Sequence, residues 1–598
     1  GDEFNNKLSD PEVPSHLGAK SRWIIQGFHD PDICFLNRTV PTPETSDVPL
    51  ALQMLASMRA NAWVADVKSA FTQSMPGLRD EPLFCSPPPG GIPGEPEDIL
   101  IELMTEIYGL VTGPPAWRQT LITTLKELGF KRHPLAPCVV LMYEDATPKH
   151  EPTFGDNPRV PSHLSGLIVI ETDDLLGGGI SDRFHDAIAK LKKAFNFGVW
   201  KELMGNPREY GGRTIEQLPD TGFTISMTRY LKDRAREIRL ERGRCKDPEK
   251  EANEAEITAM RGLLGKLNWA TREGMPQGAG DASLLSGTMP KPKVRDLQDA
   301  NGALRRLVAN DESIKIKPIP LEDLRLLVFA DSSLANAEGN KSQIAHIVCA
   351  TNKDIVLGEE ADVSVLCYKS HKMQRVGSST LLVEANAMSE GLADVEWVAS
   401  WIGLAKNLNY DLRKRHQLNR ELQITSIMSK RPDDELEQAI LCVTDAKSLY
   451  DNLSREQFTG AERRAALEVC VIRDSLMALD GQARWIPHEE NPSDCLTKLK
   501  GNASRLVEML RTAKFKISVE EEELARRKAY REATGKRNPR PNKSTVDQKK
   551  PPSFKGKGKG KGKSKPRFLP DSDADVSDSA KNDSMMSSSE FSDHSVFF

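Results

Sequence analysis

Asp66, Asp173 and Asp174 stand where carboxylates are out of character. The segment GLIVIETDDLLGGG (166–179) runs from an apolar strand pattern, Leu167 to Ile170, directly into Glu-Thr-Asp-Asp. A shorter apolar run, Trp63 to Ala65, ends in the same way at Asp66. One carboxylate facing two at the tip of a neighbouring strand makes a site of oxygen donors alone. That chemistry suits a hard divalent cation such as Mg²⁺, or Mn²⁺ in its place. A pair of such ions serves an in-line displacement in which a 3′-hydroxyl attacks and pyrophosphate leaves. A second set lies further on: Asp331 in LRLLVFADSS, Glu384 in STLLVEANA, Asp445 ending AILCVTD, and Asp494 in NPSDCLTK. Four acids can hold two metals about 4 Å apart with room for substrate and water. His488 stands just ahead of Asp494, either a surface histidine or a group on a loop that could assist proton transfer or product release.

The elements that must carry these groups are legible in outline. Residues 181–195 have the pattern of an amphipathic helix, and Met260, Leu263, Leu264 and Leu267 recur at helical spacing within 250–273. DLQDANGALRRLV begins a further helix. SPPPGGIPGEPED (86–98) and residues 144–166 are loops by composition. From 322 to about 515 the pattern is β-β-β-α-β-α-β-α, with the four later acids on strands, a helix and a helix start.

Five motifs occur in a fixed order: KSRWIIQGF (20–28), DVKSAF (66–71), EIYGLVTGPPAW (106–117), LKELGF (125–130) and IETDDLLGGG (170–179). This succession resembles the reverse transcriptase of copia-type LTR retrotransposons, over about 18–310. The later motifs, FADSS, SHKMQRVGSST with VEANA, VTDAKS and NPSDCLTK, resemble the ribonuclease H of the same elements. The resemblance implies an α+β right-hand polymerase of fingers, palm and thumb, followed by an α/β ribonuclease H-like domain with a mixed sheet. It implies Asp66, Asp173 and Asp174 as metal ligands of the palm, and Asp331, Glu384, Asp445 and Asp494 as those of the nuclease. Lys20 and Arg22, alternating on a strand, would meet the incoming triphosphate. Phe71 matches the aromatic position that leaves no room for a 2′-hydroxyl, and Thr112 lies in the motif that supports template and nucleotide. The implied partners are an RNA template, a DNA primer, the RNA–DNA hybrid and deoxynucleoside triphosphates.

The chain departs from the family pattern in three places. Glu171 stands where the family has the Tyr of Y-V-D-D, and such a third carboxylate can raise the pKa values of the pair or bind metal unproductively. Thr112 and Pro115 replace the usual Gln and Arg, and TREGMPQGAGD replaces T-R-P-D. Two other readings therefore stay open: a decayed or domesticated element that binds nucleic acid without polymerising, and a working nuclease beside an inactive polymerase.

The expected plan is an N-terminal fragment or linker (1–17), fingers and palm (18–200), thumb and connection (201–321), the nuclease domain (322–515) and a charged, low-complexity, largely disordered tail (516–598). The tail is Lys-, Gly- and Pro-rich and then acidic and Ser-rich. It has too little apolar surface to order itself, and its basic part suits phosphate backbones. At 598 residues, 38% hydrophobic and 28% charged, the chain can bury large cores, and its net charge of -4 announces no partner. Its longest apolar runs are too short to span a bilayer. Nine scattered cysteines without a CxxC pair argue against a disulfide framework and a structural zinc site, and fit the cytoplasm or nucleus. The opening GDEFNN, without Met, reads as a fragment boundary, a processing product or an incomplete gene model.

Overall fold

The computed structural model describes residues 23–517 other than 31, 37, 76–81, 89, 93, 97, 146–161, 242, 408–409, 415–439 and 456–461, together with 525 and 529. The expectations for 1–17, for Lys20 and Arg22, and for nearly all of the tail lie outside the described residues. The described residues all fall within one compact unit.

The first half is built on an antiparallel sheet. Helix α1 (Asp47–Ser57) leads into strand β1 (Asn61–Val67). After α2 (Gly113–Glu127) come β2 (Val139–Asp145), β3 (Ser162–Glu171), β4 (Asp174–Gly179), α3 (Asp182–Ala194) and β5 (Phe197–Glu202). In space the order is β2-β3-β4-β1-β5, with the short Lys131–Arg132 strand beyond β2. Both faces of the central strands are covered, which is why β3 and β4 carry continuous apolar runs, while the edge strand β5 is largely exposed. Val64, Leu167, Val169 and Leu176 face α1, while Trp63, Ala65, Ile168, Ile170 and Leu175 share a core with residues of α2 and α3. The alternation follows the two-residue period of a strand. The glycines that end β4 answer to close packing: a Cβ on Gly177 would stand 2.9 Å from the Trp63 ring, and one on Gly178 would stand 2.7 Å from the Asn61 carbonyl oxygen.

A second antiparallel sheet has the order β9-β8-β7-β6, from β6 (Arg208–Tyr210), β7 (Arg213–Gln217), β8 (Phe223–Ser226) and β9 (Ile314–Ile316). Helices that accompany it include α4 (Glu254–Glu273), α5 (Ala279–Gly287) and α6 (Val294–Ala309). Asn253 and Glu256 close a capping box at the start of α4, and Met260, Leu263, Leu264 and Leu267 are all buried, as their spacing requires.

The third sheet contains β10 (Arg325–Ala337), β11 (Lys341–Thr351), β12 (Ala361–Lys372), β13 (Ile440–Thr444), β14 (Gly481–Trp485) and β15 (Lys514–Phe515). Its order is β14-β13-β10-β11-β12-β15; β10, β13 and β14 run parallel and the remaining pairs antiparallel. Helix α7 (Thr380–Lys406) crosses between β12 and β13. Where the sequence pattern gives one helix between β13 and β14, the structure has two, α8 (Lys447–Ser454) and α9 (Arg463–Ala478). Helix α10 (Ser504–Thr512) precedes the edge strand β15.

The first and third sheets share a continuous core, and Trp401 of α7 is its clasp. Trp401 Nε1 donates to Asp47 Oδ1 at 3.2 Å, and its ring stacks on His133 with centroids 4.6 Å apart. His133 Nδ1 accepts from the backbone N–H groups of Leu135 and Ala136, which puts the ring proton on Nε2, 3.0 Å from the Trp401 carbonyl oxygen. Burial lowers the His133 pKa from 6.5 to about 4, against the opposing pull of that hydrogen bond. Burial raises Asp47 from 3.8 to about 6, against bonds from Glu44 N–H and Trp401.

The two shifts act on stability with opposite sign. From pH 6.5 down to 4 the unfolded chain protonates this histidine and the folded chain does not, so stability falls with acid. From pH 6 down to 3.8 the folded chain protonates Asp47 and the unfolded chain does not, so stability rises with acid. Relative to the wild type, His133→Asn is therefore expected to gain stability as pH falls through this window, and Asp47→Asn to lose it. Urea midpoints at matched pH values check both, and three parallel pH profiles would contradict the burial of this pair.

Candidate active sites

The first acid set is assembled by strand register. Asp66 on β1 lies directly across from Asp174, the first residue of β4. β3 and β4 form a hairpin that closes Glu171 onto Asp174 through the two residues Thr172 and Asp173. Thr172 has φ +57°, a conformation that a β-branched residue rarely adopts. Its neighbours hold it there: fully buried Trp117 donates Nε1–H to the Thr172 carbonyl oxygen at 2.8 Å, and Val67 N–H donates to that of Asp173 at 3.0 Å. Thr172 is thus exposed at the turn, while Asp173 and Asp174 are both half-buried. Burial, then the charges of Asp173, Asp66 and Glu171, push the Asp174 carboxyl up to about 7. Crowded carboxylates of this kind gain from a cation.

Glu171 is turned partly away from the pair. A Cβ on Gly211 would collide with Glu171 Oε2, and would stand 3.3 Å from Arg213 Nη1. Arg213 is in turn paired with Glu273 at the end of α4. Burial raises the Glu171 pKa, as do Glu273 and Asp173, while Arg213 lowers it. Glu171 therefore adds negative charge behind Asp174 but has a cation beside it.

Phe71 follows Asp66 in the short turn Ala70–Gln73, half-buried, with its ring 5.2 Å from that of Tyr108. Thr112 requires a correction. It is buried, and its hydroxyl donates to Glu106 Oε2 at 2.7 Å, so it is committed inward at the start of α2 and is not presented to a nucleotide.

The second acid set is drawn together more tightly. Asp331 lies in β10, one residue beyond Ala330, which pairs with Thr444 at the end of β13, so Asp445 emerges beside it. Glu384 sits in the first turns of α7, whose start is capped by Ser379 accepting from Leu382 N–H. Asp494 begins the turn Asp494–Thr497, and Asn491 ties the preceding loop to the Ala330 carbonyl oxygen at 3.1 Å. One ligand oxygen each from Asp331, Glu384 and Asp445 lie within 4.8 Å of one another, as do ligand atoms of Asp445, His488 and Asp494. The residue common to both groups is Asp445, which faces the buried acids on one side and the His488 loop on the other. Among the described residues, no corresponding trio forms from Asp66, Asp173 and Asp174.

Desolvation and mutual repulsion raise the carboxyls of Asp331 and Glu384, and Glu384 Oε2 is buried without a hydrogen-bond partner. A cation would satisfy that oxygen. His488 is a member of the site: Nδ1 is 2.6 Å from Asp445 Oδ2, and Nε2 is 3.1 Å from Asp494 Oδ1. The bond to Asp445 raises its pKa above the ordinary value. Thr497 and Lys498 belong here too, and sequence reasoning passed over them although both stand within NPSDCLTK. Thr497 Oγ1 donates to Asp331 Oδ2, and Lys498 Nζ pairs with Asp494 Oδ1. Glu390, six residues beyond Glu384, is turned to His371 at 3.1 Å.

Residues 5–147 match the family described as reverse transcriptase (RNA-dependent DNA polymerase), a span that contains Asp66, Phe71 and Thr112. Over 279 residues, 45% of this chain and 82% of the relative, the chain is 27% identical to a transposon Ty5-1 protein of Saccharomyces cerevisiae. Among solved structures, the N-terminal RNase H domain of Rv2228c from Mycobacterium tuberculosis, fused to maltose binding protein, aligns with 31% of this chain and 98% of that one. The identity is 12% and the TM-score 0.19, so the fold of the second half rests on its own strand order. The reverse transcriptase match over residues 5–147 and the transposon relative agree with the resemblance to copia-type retrotransposon Pol proteins that the motif order carries.

Proposed function

We propose that the chain is an RNA-directed DNA polymerase of fingers, palm and thumb with a fused ribonuclease H. The single observation that carries the polymerase reading is the register that sets Asp66 opposite Asp174 at the end of a strained hairpin. Asp66, Asp173 and Asp174 would hold the metal of the polymerase, and Asp331, Glu384, Asp445 and Asp494 that of the nuclease. Oxygen-only donors, an orphaned buried Glu384 oxygen and carboxyl pKa values raised by crowding all fit Mg²⁺ or Mn²⁺. Bound there, such an ion supplies Lewis-acid activation of an attacking oxygen and neutralises charge on the leaving group. The chain's own part is to orient and to shape. Trp117 holds the hairpin that aims Asp173, the Phe71 ring excludes a 2′-hydroxyl, and His488 holds or releases a proton at Nε2 beside Asp494. The substrates would be an RNA template, a DNA primer, deoxynucleoside triphosphates and the RNA–DNA hybrid that the first activity makes. Nine free cysteines support the cytoplasm or nucleus as the place of work. No helix of the described residues is long and apolar enough to cross a membrane.

A second reading is favoured by one contrast. The nuclease acids are gathered while the polymerase trio is not, and Glu171 crowds the latter. On that reading the nuclease works and the polymerase does not. Primer extension on an RNA template, with Mg²⁺ or Mn²⁺ and deoxynucleotides, separates the two. Extension establishes the polymerase and makes Glu171 a tolerated substitution. Absence of extension, with cleavage of hybrid RNA intact, establishes the second reading.

A further inference from the structure

The nuclease acids have an ammonium group of the chain's own in their midst. The turn Asp494–Thr497 is tight, with Thr497 Oγ1 donating back to the Asp494 carbonyl oxygen at 3.1 Å as well as to Asp331. It delivers Lys498 onto Asp494, four residues back along the chain, and Nζ also lies 3.5 Å from His488 Nε2. This is not a solvated surface lysine: about two thirds of its side chain is covered, with a relative exposure of 36%. Its charge lowers the carboxyls of Asp331 and Glu384, and, against burial, which lowers it, Asp331, Asp494 and Asp445 raise the ammonium in turn.

We infer that Lys498 is a built-in counter-cation of the nuclease centre: it holds the four-acid set together before divalent metal enters, and metal must compete with it for Asp494. The inference rests on the reading of Asp331, Glu384, Asp445 and Asp494 as metal ligands. The physical reason is direct. Buried carboxylates close together repel, and one fixed positive charge relieves part of that cost. The same charge repels an incoming dication and occupies a donor that the dication needs. Lys498 therefore makes the apo centre more stable and its divalent affinity weaker, so that the centre fills only above a set metal concentration. Lys498 is a positioning and selectivity residue here, acting through the acids.

Thermal unfolding of the full chain, in chelator and across a Mg²⁺ titration, tests this. Glu384→Gln serves as the control that isolates the response belonging to this centre. In chelator, Lys498→Gln is expected to melt below the wild type. On titration its Glu384-dependent response is expected at a Mg²⁺ concentration lower by on the order of tenfold, since one unit charge at contact range is removed. Lys498→Arg keeps the charge and is expected to keep a midpoint near that of the wild type, which a loss of packing alone would not explain. An unchanged or higher midpoint in Lys498→Gln overturns the counter-cation role while leaving the metal centre standing. No Glu384-dependent response to Mg²⁺ in the wild type overturns the metal-centre reading, and the inference with it.

Discussion

Asp173→Asn is expected to stop DNA synthesis and spare RNA cleavage, and Glu384→Gln to do the reverse. Both changes keep the shape of the side chain and remove its charge, so geometry is preserved while a hard oxygen donor becomes an amide. Loss of an outer partner of a metal ligand costs roughly 10–100-fold. Loss of a ligand itself should exceed that, so each activity is expected to fall by more than about 100-fold in its own variant and to stay within a few-fold in the other. Asp173 belongs to the hairpin between β3 and β4, and Glu384 to the start of α7. Glu384→Gln has a second expected consequence. The wild-type carboxyl is buried, its Oε2 is unpartnered and its pKa is raised, so removing the charge should raise the melting temperature in chelator. Stability gained with nuclease activity lost is the signature of a group kept for chemistry. If either substitution abolished both activities, the two sites could not be independent.

Trp401→Ala is expected to carry the largest cost in stability, about 3–5 kcal/mol, the range for emptying a buried aromatic site. Trp401 is fully buried where α7 meets the first sheet. Its loss would leave a cavity and strip Asp47 of the indole N–H and His133 of its stacking partner. Nearby, Tyr143 donates its hydroxyl to the Leu404 carbonyl oxygen at 3.0 Å, so the same junction would loosen over a full turn of α7. Trp401→Phe keeps an aromatic ring and loses the donor to Asp47, and is expected to cost about 1–3 kcal/mol, the penalty of a buried acceptor left unpaired. Chemical unfolding followed by fluorescence and circular dichroism measures both. Wild-type protein should unfold the halves built on the first and third sheets together, because they share one core, and Trp401→Ala should separate the transitions. A cost below about 1 kcal/mol, or two transitions already present in the wild type, would show that the junction does not couple them.

What the sequence determined by itself was local chemistry and local periodicity. Acids that interrupt apolar runs marked Asp66, Asp173, Asp174, Asp331 and Asp445, because a buried strand rarely ends in charge without a reason. The 260-263-264-267 spacing marked the buried side of α4, because helical neighbours recur within a few residues. Only the tertiary structure decided which distant groups meet. The pairing of Asp66 with Asp174 depends on a register between strands more than 100 residues apart, and a shift of one residue would have turned those side chains to opposite faces. Thr112 sits in a functional-looking motif, yet its rotamer sends the hydroxyl inward to Glu106, and no spacing rule encodes a rotamer. His488 looked no different from a surface histidine until β13 and β14, brought side by side, set it between Asp445 and Asp494. Lys498 was in plain view in NPSDCLTK, but the turn that folds its ammonium back onto Asp494 is a matter of backbone geometry. Contacts within one element are written in its own period; contacts between elements are set by the core that forces them together.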